Sequence, residues 1–217
     1  MTFSEYVVSR WDTLSLAAAE HSLAVAIAIG IATAIGIGVG LLTYETPKAR
    51  GFSLALSAGI LTVPSLALLT LLIPITGLGW GSTLVALTAY AFLPIIRNTV
   101  TGLRGVDAAT VEAARGMGLS RVRVLLQVQL PLAWPLILTG VRVSAQMLIG
   151  IAAIAAYVDG PGLGSQIFEG LSRLGSVNSL NATLAGTLGI VVIAVLFDLF
   201  FAAVRHLTTP RGLRVRP

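Results

Sequence analysis

Residues 22–42 read Ser-Leu-Ala-Val-Ala-Ile-Ala-Ile-Gly-Ile-Ala-Thr-Ala-Ile-Gly-Ile-Gly-Val-Gly-Leu-Leu, a stretch without a single charge. About 20 apolar residues in helical form cross roughly 30 Å of hydrocarbon, so this block has the length of a membrane span. Four further stretches behave alike: Phe52 to Pro74, Trp80 to Ile96, Pro135 to Val158 and Ala182 to Val204. The third is the shortest, with Gly79 just before it and Pro94 near its end. One such block would suit a soluble all-helical protein; five in 217 residues do not. The composition agrees, with 56% hydrophobic residues, 11% charged and a mean hydropathy of +0.92, against about 25% charged in soluble domains. The predicted fold class is an all-α integral membrane protein, a single membrane domain over 1–217 with about five transmembrane helices.

Several function classes fall away. There is no Cys, which removes disulfide frameworks and thiolate metal sites, and His21 and His206 stand too far apart to suggest a metal site. The net charge of +5 does not point to nucleic acid, because the basic residues gather between apolar blocks and near the C-terminus. That is the pattern membrane orientation produces. The first residues carry Glu5, Asp12 and Glu20 around a single Arg10, unlike the basic start of a cleaved signal, and are expected to stay in the mature protein.

The same charges set a topology. With the N-terminus outside, the cytoplasmic segments hold Lys48 and Arg50, then Arg97, Arg104, Arg115, Arg121 and Arg123, then Arg205, Arg211, Arg214 and Arg216. The outer segments keep only Arg10 and Arg173, and Arg142 lies within the fourth stretch. The expectation is an outer N-terminus and a cytoplasmic C-terminus. Inside the spans, Gly36 and Gly40 form a small-xxx-small pair, open to packing within the bundle or to contact with another subunit. Pro64, Pro74 and Pro94 are expected to bend their helices, which lipid tolerates where neighbours or a water-filled cavity satisfy the freed backbone.

Between the third and fourth stretches runs a polar segment, 98–134. Asp107 is placed to cap a helix over Ala108 to Met117, and Gly118 to stop it in a left-handed conformation. The basic run Arg121 to Val128 then leads into Leu130-Pro131. Such a helix suits the grip of a partner protein, or rest on anionic headgroups. Glu112-Ala113-Ala114, three residues, Gly118, nine residues and Val128-Gln129-Leu130-Pro131 resemble the EAA loop of binding-protein-dependent ABC importer permeases, with Val128 where that family has Ile. The resemblance implies the type I permease fold, with a core of about 17–204. In that family the loop is the coupling helix seated in the ATP-binding subunit, so Glu112, Ala113, Ala114, Gly116, Gly118, Leu130 and Pro131 are the implied docking residues.

The likeness extends along the chain. Thr62-Val63-Pro64-Ser65-Leu66-Ala67, Leu93-Pro94-Ile95-Ile96-Arg97-Asn98-Thr99, Gly102-Leu103-Arg104-Gly105-Val106 and Gly160-Pro161-Gly162-Leu163-Gly164 resemble the osmoprotectant branch, which imports glycine betaine, carnitine or choline. The implied partners are two ABC ATP-binding subunits, a second permease chain (identical or paralogous) and an extracytoplasmic solute-binding protein, in a bacterial plasma membrane. The sequence ends soon after the last span, so that binding protein is expected as a separate chain. No phosphate-binding loop occurs, so the chain is expected not to be an enzyme, with ATP and Mg on the partner ATPase and no cofactor of its own. The alternatives are the same machine carrying another small amine or amino acid, and an ion-coupled secondary transporter, which would need an internal repeat and an ion site. Neither is visible.

Charges and aromatics inside the spans are the remaining candidates. Arg142 is expected to pin two helices or to reach toward an inner gate, and Asp198 to pair with a basic residue near the inner surface, Arg205 sharing its helix face. Tyr90, Phe92 and Tyr157 offer faces to a cation in passing, or simply pack. The segment Asp159 to Asn181 is expected outside. There Gly162, Gly164 and Phe168 are candidate contacts for the binding protein, although the apolar face of Ile167, Phe168 and Leu171 would equally suit packing on the bundle.

Overall fold

A computed structural model describes residues 1–208, and every regular element among them is helical. The order is α1 (Phe3–Ser9), α2 (Trp11–Thr43), α3 (Pro47–Thr62), α4 (Ser65–Thr76), α5 (Trp80–Arg104), α6 (Ala108–Gly116), α7 (Arg121–Val124), a π turn (Leu125–Gln129), α8 (Leu130–Ala155), a 3-10 turn (Ala156–Val158), α9 (Gly164–Ser172) and α10 (Ser179–Thr208). Four helical runs are long and apolar enough to cross a bilayer: Trp11–Thr43, Trp80–Arg104, Arg121–Val158 and Ser179–Thr208. The pair α3 and α4 makes a fifth if it counts as one span. Arg211, Arg214 and Arg216, assigned above to the inner side, lie outside the described residues.

Two helices run beyond the apolar stretches that announce them. Helix α2 begins well before Ser22, because Ala17-Ala18-Ala19 are strong helix formers even though Asp12 and Glu20 lower the hydropathy there. Helix α5 continues past Ile96 to Arg104, so the polar segment expected from Asn98 starts as helix. Its polar side chains satisfy themselves on the preceding turn. Asn98 Nδ2 donates to the Pro94 carbonyl at 2.8 Å, and Thr99 Oγ1 to that of Ile95 at 2.8 Å.

The second apolar stretch departs more sharply. Its two halves meet at 99°. Pro64 has no N–H to give and pushes Val63 into extended geometry (φ −69°, ψ 130°). The carbonyl this frees at Val63 is taken by Tyr90 Oη, which donates to it at 2.6 Å from α5. Pro74 and Pro94, by contrast, sit inside continuous helices.

Helix α5 is the centre of the bundle, packed between α2 and α8. The buried face of α2, built of Ala24, Ala28, Ala32, Gly36 and Gly40, lets the backbones close in. A Cβ on Gly36 would lie 2.8 Å from Ile95 Cγ2, and one on Gly40 2.5 Å from Thr99 Cγ2. The small-xxx-small pair therefore packs within its own bundle. Against α8, Gly102 meets Ala133, Gly140 meets Asn98, and Ser144 Oγ donates to the Ala91 carbonyl at 3.0 Å. Helix α10 is the outermost, packed on α8 and α9. It leaves a face of Leu184, Leu188, Val191, Val195 and Leu199 exposed, suited to lipid.

Candidate functional site

The short helix α6 is stopped by its own sequence. Met117, Gly118 and Leu119 close it in a complete Schellman arrangement. Leu119 N–H donates to the Ala114 carbonyl at 3.3 Å and Gly118 N–H to that of Arg115 at 2.9 Å, with Gly118 at φ +85°. At the other end Asp107 stands in the N-cap position with extended backbone. Its carboxylate accepts the Thr110 hydroxyl at 3.3 Å and makes no bond to a backbone N–H. The expected cap is thus present in position and absent in its usual bond.

The helix presents one face outward. Glu112, Ala113, Gly116 and Gly118 are exposed and Met117 is 75% exposed, while Ala114 is buried at 3% against the chain. A web of polar contacts fixes what lies behind it. Glu45, after α2, pairs with Arg121 at the start of α7. Tyr44 Oη donates to Glu45 Oε1 at 3.0 Å and Gln129 Oε1 at 3.2 Å, and Arg50 Nη1 donates to the Tyr44 carbonyl at 3.1 Å. A cavity of about 410 Å³ opens there, lined by Tyr44, Arg50, Arg104, Glu112, Arg115 and Gln129 among others. Leu130 packs on the Tyr44 cluster and Pro131 is exposed. The π turn ahead of them ends where Pro131 has no N–H to donate.

A second polar group lies within the apolar length of α8 and α10. Arg142 Nε donates to Asp198 Oδ1 and Nη2 to Oδ2, both at 2.8 Å, in a two-pronged fork. Gln146 Nε2 adds a bond to Oδ1 at 2.7 Å. The partner of Asp198 is therefore a residue of another helix, and Arg205, on its own helix, is exposed. About a third of each charged side chain remains accessible (34% and 35%). Charges at membrane depth cost about 2.5 to 3.5 kcal/mol on insertion scales, and they face a bundle interior or water. Gln146 was not singled out in the sequence, although its position one helical turn from Arg142 was a readable signal.

The aromatic and glycine candidates are dispersed. Tyr90 is 2% exposed and closes the break at Val63. Phe92 is half-buried between two core clusters. Tyr157 is 64% exposed in the 3-10 turn that follows α8, its ring edge-on to Phe168 with centroids 5.9 Å apart. Gly162 and Gly164 are buried. Gly162, at φ +113°, lies against His21, where a Cβ would come within 2.7 Å of the ring, and Gly164 packs on the Ala153 carbonyl. Fully buried His21, whose Nε2 lies 3.1 Å from the Ile149 carbonyl, is a packing element the sequence reading did not place. Among the described residues no group of three or more His, Asp or Glu is arranged to hold a metal ion.

Known proteins bear on this arrangement. A family model described as binding-protein-dependent transport system inner membrane component matches residues 26–209. The carnitine transport permease protein OpuCB of Listeria monocytogenes is 34% identical over 80% of this chain and 78% of its own. The glycine betaine/carnitine/choline transport system permease protein OpuCB of Bacillus subtilis is 37% identical over 70% of this chain and 69% of its own. Among solved structures, a chain of the MetNI methionine ABC transporter in an inward-facing conformation superposes with a TM-score of 0.80 at 22% identity, covering 91% of this chain and 96% of its own. That likeness speaks for the fold, and the family model together with the permease relatives places the chain: it belongs to the binding-protein-dependent transport system inner membrane components.

Proposed function

We propose that the chain is the pathway-forming permease of an ATP-driven importer for a small quaternary ammonium solute, such as glycine betaine, carnitine or choline. The observation that carries the mechanism is helix α6, which is short, stopped at its C-terminal end by Gly118 and turned outward with Glu112, Ala113 and Gly116. A helix whose buried side is braced by the Tyr44–Glu45–Arg121 web can transmit force from a partner without deforming. The partner is a separate ATP-binding subunit, which carries ATP and Mg. The solute class follows the names of the permease relatives, which transport carnitine, choline and glycine betaine.

The functional unit pairs this permease with a second one, identical or paralogous, with two ATPase subunits and with an extracytoplasmic binding protein that docks on the outer segment 159–181 around Phe168. Gly162 and Gly164 support that surface from beneath. The N-terminus lies outside and the C-terminus in the cytoplasm. ATP binding closes the ATPase pair, moves the two α6 helices, and swings the pathway from inward-open to outward-open. Arg142, half-buried on α8, and Tyr157, exposed in the short turn that follows it, face the pathway, with Tyr90 and Phe92 a layer behind. The test is uptake into proteoliposomes holding the full complex. ATP and loaded binding protein should both be required, and uptake by this chain alone under a sodium or proton gradient would overturn the reading.

A further inference from the structure

The outer faces of α8 and α10 are both largely aliphatic, with Leu136, Val143 and Ile154 exposed on α8 and Leu188, Val191 and Val195 on α10. On α8 these share one stripe, in helical register, with exposed Thr139, Gln146 and Gly150. The Arg142–Asp198 fork opens onto that same stripe, a third accessible and braced by Gln146. A half-open ion pair beside an exposed amide is poorly suited to hydrocarbon and well suited to water. We infer that Arg142, Asp198 and Gln146 form a transit site for a zwitterionic solute, in which the solute's carboxylate takes the Arg142 fork and its cationic end faces Asp198. This rests on the quaternary ammonium solute class proposed above.

The chemistry favours an exchange of partners. In the closed fork both charges are compensated. A zwitterion inserted between them leaves each charge compensated again, so the site opens without stranding an ion. A simple cation would satisfy Asp198 and leave Arg142 without a counter-charge, and an anion would do the reverse. Removing one partner of a desolvated pair carries a heavier penalty than removing both. Gln146 donates to Asp198 Oδ1 from α8, which holds the carboxylate in place while Arg142 swings away. A quaternary ammonium has no N–H to donate, so the bare carboxylate edge of Asp198 is a fitting neighbour, and Tyr157 lies about 22 Å beyond Arg142 along the helical run Arg121–Val158.

The experiment compares initial uptake of glycine betaine, a zwitterion, and choline, a cation, by the complete complex in proteoliposomes with ATP and binding protein. Arg142→Gln leaves Asp198 unopposed and should lower the glycine betaine to choline ratio by about tenfold. Asp198→Asn leaves Arg142 unopposed and should move the ratio in the opposite direction by about as much. A purely structural pin predicts equal losses for both solutes. Ratios within about twofold of wild type in both variants would overturn the inference while leaving the solute class standing. A wild-type complex that imports neither solute would overturn the solute class, and this inference with it. Gln146→Cys, in a chain with no native cysteine, keeps both charges and carries the test if the charge variants fail to insert. It should react with a charged, water-soluble thiol reagent and be protected by glycine betaine, and a thiol inert in every state of the ATP cycle would refute a water-filled site.

Discussion

Replacing Gly118 tests whether α6 is a docking element or only a piece of the fold. Gly118 stands at φ +85°, and a Cβ built there meets nothing within 4 Å. The cost of Gly118→Leu is therefore conformational alone, about 1 to 2 kcal/mol for an L residue held in the left-handed region. The domain should absorb this. The same 1 to 2 kcal/mol can shift the population of correctly stopped α6 by a factor of about 5 to 30, and apparent affinity for the ATPase subunit falls by at most that factor if only the stopped helix docks. A bulky side chain on the exposed face adds a steric penalty on top. Gly118→Asn separates the two effects, because Asn tolerates the left-handed region. The assay is co-purification with the ATPase subunit alongside membrane insertion and ATP-dependent uptake. Insertion should be normal for both variants, with uptake abolished for Leu and better preserved for Asn. Full transport by Gly118→Leu would refute the docking role of this turn.

Glu112→Ala should insert normally and associate weakly with the ATPase subunit, read by the same co-purification. Ser172→Cys, at the exposed end of α9, should react with an impermeant thiol reagent from outside, and labelling from the cytoplasmic side alone would invert the proposed topology. Gly40→Val should lower the detergent melting temperature through an overpacking cost of about 1 to 3 kcal/mol against Thr99, whereas Gly30→Val, with nothing within 4 Å of its Cβ, should leave it nearly unchanged. The purified chain alone should neither bind nor hydrolyse ATP, as measured by nucleotide binding and phosphate release. The assembled complex should hydrolyse it faster with loaded binding protein.

The membrane class and the family were legible because both depend on local pattern: charge-free length in one case, specified residues at fixed spacing in the other. Gly118 was legible because a left-handed stop demands one residue type. The Arg142–Asp198 pair was half legible. Each charge stood out against its apolar surroundings, but their partnership depends on how α8 and α10 rotate about their axes, which one-dimensional spacing does not encode. Pro64 announced a bend and not its size, since the right angle is held by a hydroxyl donated from Tyr90 on a different helix. Nor did the spacing tell which of two adjacent alanines turns inward: Ala114 is buried and Ala113 is not, because the register of α6 is set by the contacts behind it.

The helical run from Arg121 to Val158 is unbroken, so its foot, next to α6, and its far end beside Tyr157 belong to one lever about 57 Å long. A tilt of about 10° about its midpoint would carry each end some 5 Å, in opposite directions. A push at the foot would arrive at the far mouth reversed in sense, without any chain of side-chain rearrangements between. A compliant place near the foot is the π turn at Leu125–Gln129, where a wider hydrogen-bond spacing lets the foot twist before the shaft follows.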